Sequence, residues 1–243
     1  MRALRRWISA RRLRADDGLT LVEVLVTLAL TTLVGALTFQ LLILGIRSTG
    51  GTSIRQDNAG RARVAIEAMS KNLRTAVAPS QFKDMTCTAG CTATTALSAA
   101  GASSVTFYAN INGVASPPSR ITYAVTGTAL VETVQAPVVA SATQYSYCTP
   151  GAGCAVRTRT LARGVVAPTA AAPLFAYYGD GASPPMLTLS APPTAAELAL
   201  VDAVDIVLKV STSSKWGTPP TTVTMRVALP NADYARAAPI GGA

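Results

Sequence analysis

The spacing of hydrophobic positions changes twice along the chain. From Val24 to Ile46 no residue is charged, and the stretch reads VLVTLALTTLVGALTFQLLILGI. As a helix this run is about 35 Å long, enough to cross a hydrocarbon core of about 30 Å. Beyond it, Ala62, Ile66, Met69, Leu73 and Val77 follow a 4-3-4-4 spacing, the stripe of an amphipathic helix. Arg61, Arg63, Glu67, Lys71 and Arg74 fall mostly on the other side, with Arg63–Glu67 and Glu67–Lys71 spaced as i,i+4 ion pairs. Pro79 ends the pattern, while Gly50-Gly51 and Gly60 weaken it from within.

From about residue 100 the period becomes two. Val105, Phe107, Ala109 and Ile111 alternate with Thr106, Tyr108 and Asn110. Ile121, Tyr123 and Val125 alternate with Thr122, Ala124 and Thr126, and Gly127 marks a turn before Leu130-Val131. Val204, Ile206, Leu208 and Val210 form one face of a later strand, and Val223, Met225, Val227 and Leu229 one face of the next. These last two read as a hairpin with a long loop over 213–220, and Ala195 to Leu200 as a short helix. Such alternation belongs to half-buried strands of a mostly antiparallel sheet. The fold class is therefore α+β: a long N-terminal helix, transmembrane and then amphipathic, packed on a mostly antiparallel sheet.

Charge changes the picture at the N-terminus. The net charge of the chain is +9, and the first 18 residues hold six arginines against Asp16 and Asp17, leaving +5 for the rest. An arginine-rich arm before an apolar run places the N-terminus in the cytoplasm and the C-terminus outside. With basicity concentrated in the arm, the body is not expected to be a basic nucleic-acid binder, although +5 permits DNA contact. Histidine is absent, which excludes Ser-His-Asp and Cys-His triads and any His-ligated metal. No catalytic residue and no cofactor is expected.

The arm ends in Gly18-Leu19-Thr20-Leu21-Val22-Glu23, followed at once by the apolar run. This hexapeptide resembles the prepilin-peptidase recognition motif of type IV pilins and type II secretion pseudopilins, with Leu19 where Phe is commoner and Asp16-Asp17 where basic residues or Gln are frequent. The resemblance implies cleavage between Gly18 and Leu19, and N-methylation of Leu19. Thr20, Leu21 and Val22 would complete the motif. Glu23 would pair with the Leu19 amine of a neighbouring subunit, setting register in a filament. It also implies the division 1–18 leader, 19–46 transmembrane half of the helix, 47–78 amphipathic half and 79–243 exported β-rich domain. Partners would be prepilin peptidase, other minor and major pilins or pseudopilins, and membrane lipid before assembly. Thr160-Leu161 to Val165, Phe175 to Gly179, Val204 to Val210 and Val223 to Pro230 further resemble the larger J-type minor pseudopilins and W-type minor pilins. A pilus, a type II secretion pseudopilus and a DNA-uptake filament all fit. The reading from a different class is a signal-anchored exported enzyme or binding protein.

Cys87, Cys91, Cys148 and Cys154 lie on the side expected to be exported, where disulfides are the default. Two local loops are expected, Cys87–Cys91 and Cys148–Cys154, among three possible pairings, with a four-cysteine zinc site as the rival. Asp180, in Tyr177-Tyr178-Gly179-Asp180-Gly181, reads as a turn residue before it reads as a calcium ligand. Asp202 and Asp205 are expected to begin a strand, with their side chains on opposite faces rather than paired for acid–base work. Trp216 reads as an exposed contact point or a cap on the sheet edge.

Overall fold

The computed structural model of the chain describes residues 20–92, 94–113, 116–149, 154–179, 186–212 and 218–232. Helix α1 runs unbroken from Leu21 to Leu73, through Gly50, Gly51 and Gly60. The chain divides into two compact units at Gly50/Gly51, and every strand lies in the second. The strands are β1 (Thr86–Ala89), β2 (Leu97–Ala100), β3 (Ser104–Ala109), β4 (Ser119–Thr126), β5 (Ala129–Gln135), β6 (Val138–Ser141), β7 (Gln144–Ser146), β8 (Val156–Arg163), β9 (Phe175–Tyr178), β10 (Ala203–Val210) and β11 (Thr221–Ala228). A short helix α2 (Ala195–Ala199) precedes β10, capped by the reciprocal Thr194–Glu197 box.

Among the described residues the strands form three sheets, in the orders β2-β3-β4-β5-β8, β9-β10-β11 and β1-β7-β6. All pairings are antiparallel except β1 with β7. The arrangement is α+β, with the C-terminal turns of α1 packed on these sheets. Asn58, Ala62, Ala65, Ile66, Met69, Ser70 and Leu73 form the buried face of α1. It shares one core with Val105, Phe107, Ile121, Tyr123 and Leu130 of the five-stranded sheet and with Val204, Ile206, Leu208 and Val210 of β10. Full burial of such a side chain contributes about 1.5–3 kcal/mol, so this stripe dominates the packing.

The helix ends earlier than its apolar spacing predicts. Val77 keeps the spacing but lies beyond Leu73, because the backbone leaves the helix to join the sheet. The Thr75 hydroxyl takes the Asn72 carbonyl at 2.8 Å, Ala76 bridges Ala109, and the Val77 amide donates to Tyr108 at 2.9 Å. The helix ion pairs also fail to form. Among the described residues the ion pairs are Arg159–Glu132 and Arg226–Asp205, and Arg63, Glu67 and Lys71 make none. Exposed pairs gain too little to hold two long side chains together.

Strand β3 departs from the simple alternation as well. Ile111 lies outside it and is exposed. Tyr108, expected on the wet face, is buried in a second cluster with Tyr145 and Tyr147, flanked by Phe82, Met85, Cys87 and Cys91. This end of the sheet is therefore covered on both faces. Gly127, with φ +60°, makes the tight β4–β5 turn that only glycine adopts freely. Disulfides join Cys87 to Cys91 and Cys148 to Cys154, which uses all four sulfurs.

A buried carboxylate ties the end of α1 to the sheet. Glu132 of β5 is 3% exposed and accepts from Asn72 of α1 at 3.0 Å, from the Tyr123 hydroxyl at 3.0 Å and from the Arg159 guanidinium. Asn72 also donates to the Tyr123 oxygen at 2.9 Å. Burial pushes the Tyr123 hydroxyl well above its usual range, and the Glu132 hydrogen bond raises Arg159. Removing one member of such a network strands the others without water. Glu132→Ala is expected to lower unfolding stability by about 3–5 kcal/mol in urea titrations, and Glu132→Gln by less, because its amide oxygen still accepts.

Candidate functional site

The site that sequence reasoning singles out is the N-terminal boundary of α1. Thr20 stands immediately before the first helical residue, and its hydroxyl accepts from the Glu23 amide at 3.3 Å. Its carbonyl accepts from Val24 at 3.2 Å, the first intrahelical bond. Thr20 is thus the N-cap and Glu23 the third helical residue, where a carboxylate also favours the positive end of the helix dipole. A T-x-x-E string before an apolar run is the sequence signal for this start. Gly18 and Leu19 lie outside the described residues. Thr20, Leu21, Val22 and Glu23 are all exposed, and Glu23 makes no ion pair among the described residues.

After this cap the helix is apolar all round. Leu21, Leu25, Leu28, Leu33, Phe39 and Leu42 are each more than half exposed. The segment is long and apolar enough to cross a membrane. Its threonines satisfy their own hydroxyls. Thr27 donates to the Val24 carbonyl at 2.9 Å, Thr31 to Thr27 at 2.6 Å, Thr32 to Ala29 at 2.9 Å and Thr38 to Gly35 at 2.9 Å. Back-bonding of this kind leaves a hydroxyl in need of no partner outside the helix, as an apolar surrounding requires.

The remaining candidates fall apart spatially. Asp180 and Trp216 lie outside the described residues. Asp202 is nearly buried just before β10. Asp205 sits on the outer face, gripped by Arg226 at 2.6 and 2.8 Å. That hydrogen-bonded guanidinium holds the Asp205 carboxyl below its usual range. Arg226 also lies 4.0 Å from the Tyr178 ring centroid. Among the described residues no three His, Cys, Asp or Glu side chains cluster to hold a metal.

The Glu132 network escapes the sequence reading, although Glu132 stands in the inward register between Leu130 and Val134, where a charge is conspicuous. Its oxygens are filled by four donor groups. It pins structure rather than offering a reactive group. Scanned against models of known families and against curated proteins, the chain matches none of either.

The cap has a measurable consequence. Thr20→Ala removes one hydroxyl acceptor at the helix start, at a cost of about 1 kcal/mol. Hydrogen exchange of the chain in detergent micelles should show the Glu23 amide exchanging about fivefold faster, with amides beyond Leu28 unchanged.

Proposed function

We propose that the chain is a minor pilin or pseudopilin, a noncatalytic structural subunit of a type IV pilus-like filament. The observation that carries this reading is the motif Gly18-Leu19-Thr20-Leu21-Val22-Glu23 set at the start of a membrane-length helix that continues into a sheet-bearing body. A membrane peptidase cuts between Gly18 and Leu19, where glycine leaves the backbone unobstructed. Cutting removes the arginine-rich arm, whose charges oppose leaving the cytoplasmic leaflet. The new Leu19 amine is methylated and stays largely cationic at neutral pH.

Glu23 then meets the Leu19 cation of a neighbouring subunit as both leave the membrane. An unpaired carboxylate among packed apolar helices is strongly unfavourable, so the pair selects register. Before assembly the subunit spans the cytoplasmic membrane once, with its sheet domain outside. The similarity of its C-terminal half to J-type pseudopilins and W-type minor pilins supports a place at or near the filament tip. There it would aid assembly through contacts with other subunits.

The test is the mass of the N-terminal peptide from membranes of cells with and without prepilin peptidase. A peptide beginning at methylated Leu19, found only when the peptidase is present, is the expected result. A chain retaining its leader in both strains would overturn the reading in favour of a signal-anchored exported protein. Glu23→Ala is expected to leave cleavage intact and reduce recovery of the subunit in sheared filaments at least tenfold. Recovery equal to wild type would remove the registration role.

A further inference from the structure

The register of β3, β4 and β5 sets three polar side chains in one row. Tyr108 stands opposite Arg120, and Arg120 opposite Gln135, so all three share one side of the sheet. Two disulfide-closed loops meet this row. Cys87 and Cys91 close the loop that contains Gly90, and Cys148 and Cys154 close the second. All four cysteines are half-buried, within reach of a small thiol.

The row bonds to both loops. Arg120 donates through one guanidinium nitrogen to the Gly90 carbonyl at 3.1 Å and through another to the Gln135 side-chain oxygen at 2.5 Å. A guanidinium only donates, so the Gln135 amide turns its oxygen to Arg120 and its NH2 group away. That NH2 group donates to the Cys148 carbonyl at 2.7 Å and lies 3.2 Å from the Cys148 sulfur. Gln135 is 3% exposed, so losing either bond strands a buried polar atom. The Tyr108 hydroxyl accepts from the Thr92 amide at 3.0 Å, just past the first loop. The loops also touch directly. The Tyr147 amide donates to the Ala89 carbonyl at 2.9 Å, and a Cβ at Gly90 would lie 2.4 Å from the Tyr147 carbonyl oxygen.

We propose that the two bridges form one redox-responsive corner, coupled through Arg120 and Gln135, in which a dithiol reductant that opens either bridge makes the other easier to open. The Cys148–Cys154 bridge fixes the carbonyl on which Gln135 is anchored, and Gln135 in turn fixes Arg120 on Gly90. Opening that bridge frees the Cys148 backbone, so the chain of bonds loses its fixed end and the Cys87–Cys91 loop loses a restraint on its oxidised form. Each opening is a thiol–disulfide exchange. A reductant thiolate attacks one cysteine sulfur, and the reductant's second thiol then resolves the mixed disulfide. Two electrons and two protons pass to the cysteine pair, and the reductant leaves as its own disulfide. Cys87 and Cys91 pack on the Tyr108, Tyr145 and Tyr147 cluster, so reduction loosens its cover.

The test equilibrates the full-length chain, in detergent micelles, with mixtures of dithiothreitol and its oxidised form. Alkylation traps the free thiols, and the mass of each cysteine peptide gives the equilibrium constant for reducing each bridge. Removing the second bridge, by Cys148→Ser with Cys154→Ser, is expected to raise the constant for Cys87–Cys91 about fivefold. Cys87→Ser with Cys91→Ser should raise that for Cys148–Cys154 by the same factor, because equilibrium coupling is reciprocal. The comparison is repeated in two backgrounds. Gln135→Glu keeps an acceptor for Arg120 but loses the donor to Cys148, and Arg120→Met loses the bond to Gly90. In each the factor should fall below about twofold, and either background alone suffices if the other does not fold. Far-ultraviolet circular dichroism verifies the fold of each variant. A factor below about twofold in the chain with Arg120 and Gln135 intact would overturn the proposal. So would a fivefold factor that survives in a folded Gln135→Glu or Arg120→Met chain.

Discussion

One helix in this protein must satisfy two different surroundings, and the rest of the second unit is arranged around how it does so. From Leu21 to Ile46, α1 is apolar on every side and buries almost nothing. From Asn58 to Leu73 it is apolar on one side only, and that side is fully covered by sheet. Alanines at 62 and 65 let the sheets approach closely, while Ile66, Met69 and Leu73 fill the space between them. This stripe lies in the core that the sheets share, and β10 also meets the chain after β8 directly, through the Val165–Val210 bridge and the Val166 amide donating to the Lys209 carbonyl at 2.9 Å.

Most buried polar groups find a partner within the fold. The helix threonines turn inward onto their own carbonyls, Asn72 and Arg159 fill the oxygens of Glu132, and Gln135 donates to the Cys148 carbonyl at 2.7 Å. The Tyr147 hydroxyl donates to the Pro118 carbonyl and Tyr177 to that of Gly101. Buried polar groups settled in this way specify one packing among many, since each alternative strands a donor or acceptor. The Asn110 side-chain oxygen and the Tyr145 hydroxyl are the buried atoms left unpaired among the described residues.

How much of this could be read from the sequence depended on whether an element has one wet face. Strands β10 and β11 do, and their alternation placed both strands and their hairpin pairing. Strand β3 was only half legible, because Phe107 and Tyr108 are neighbours that enter different cores. Strands β1, β6 and β7 were not legible: three or four residues are too few to show a period, and Val138 and Val139 of β6 are both exposed. The end of α1 misled for a different reason. Val77 continues the apolar spacing, but side-chain period cannot report that the backbone amide has been captured by Tyr108. At the motif, the helix start was legible in Thr20 and Glu23. Glu132 was not legible, because alternation reports which face a residue takes but not the Asn72, Tyr123 and Arg159 donors that make a buried carboxylate tolerable there.

The two disulfides bear on how oxidation meets folding. Their partners are four and six residues apart. Each native bridge therefore closes by a collision within one short segment, on a timescale of tens of nanoseconds for the loop itself. A wrong bridge from Cys91 to Cys148 would have to close roughly ten times as much chain, which costs about 2 kcal/mol more by loop entropy. Correct pairing is thus favoured by proximity before any sheet exists, and an oxidant can set both bridges in an unstructured chain without trapping it in a wrong topology.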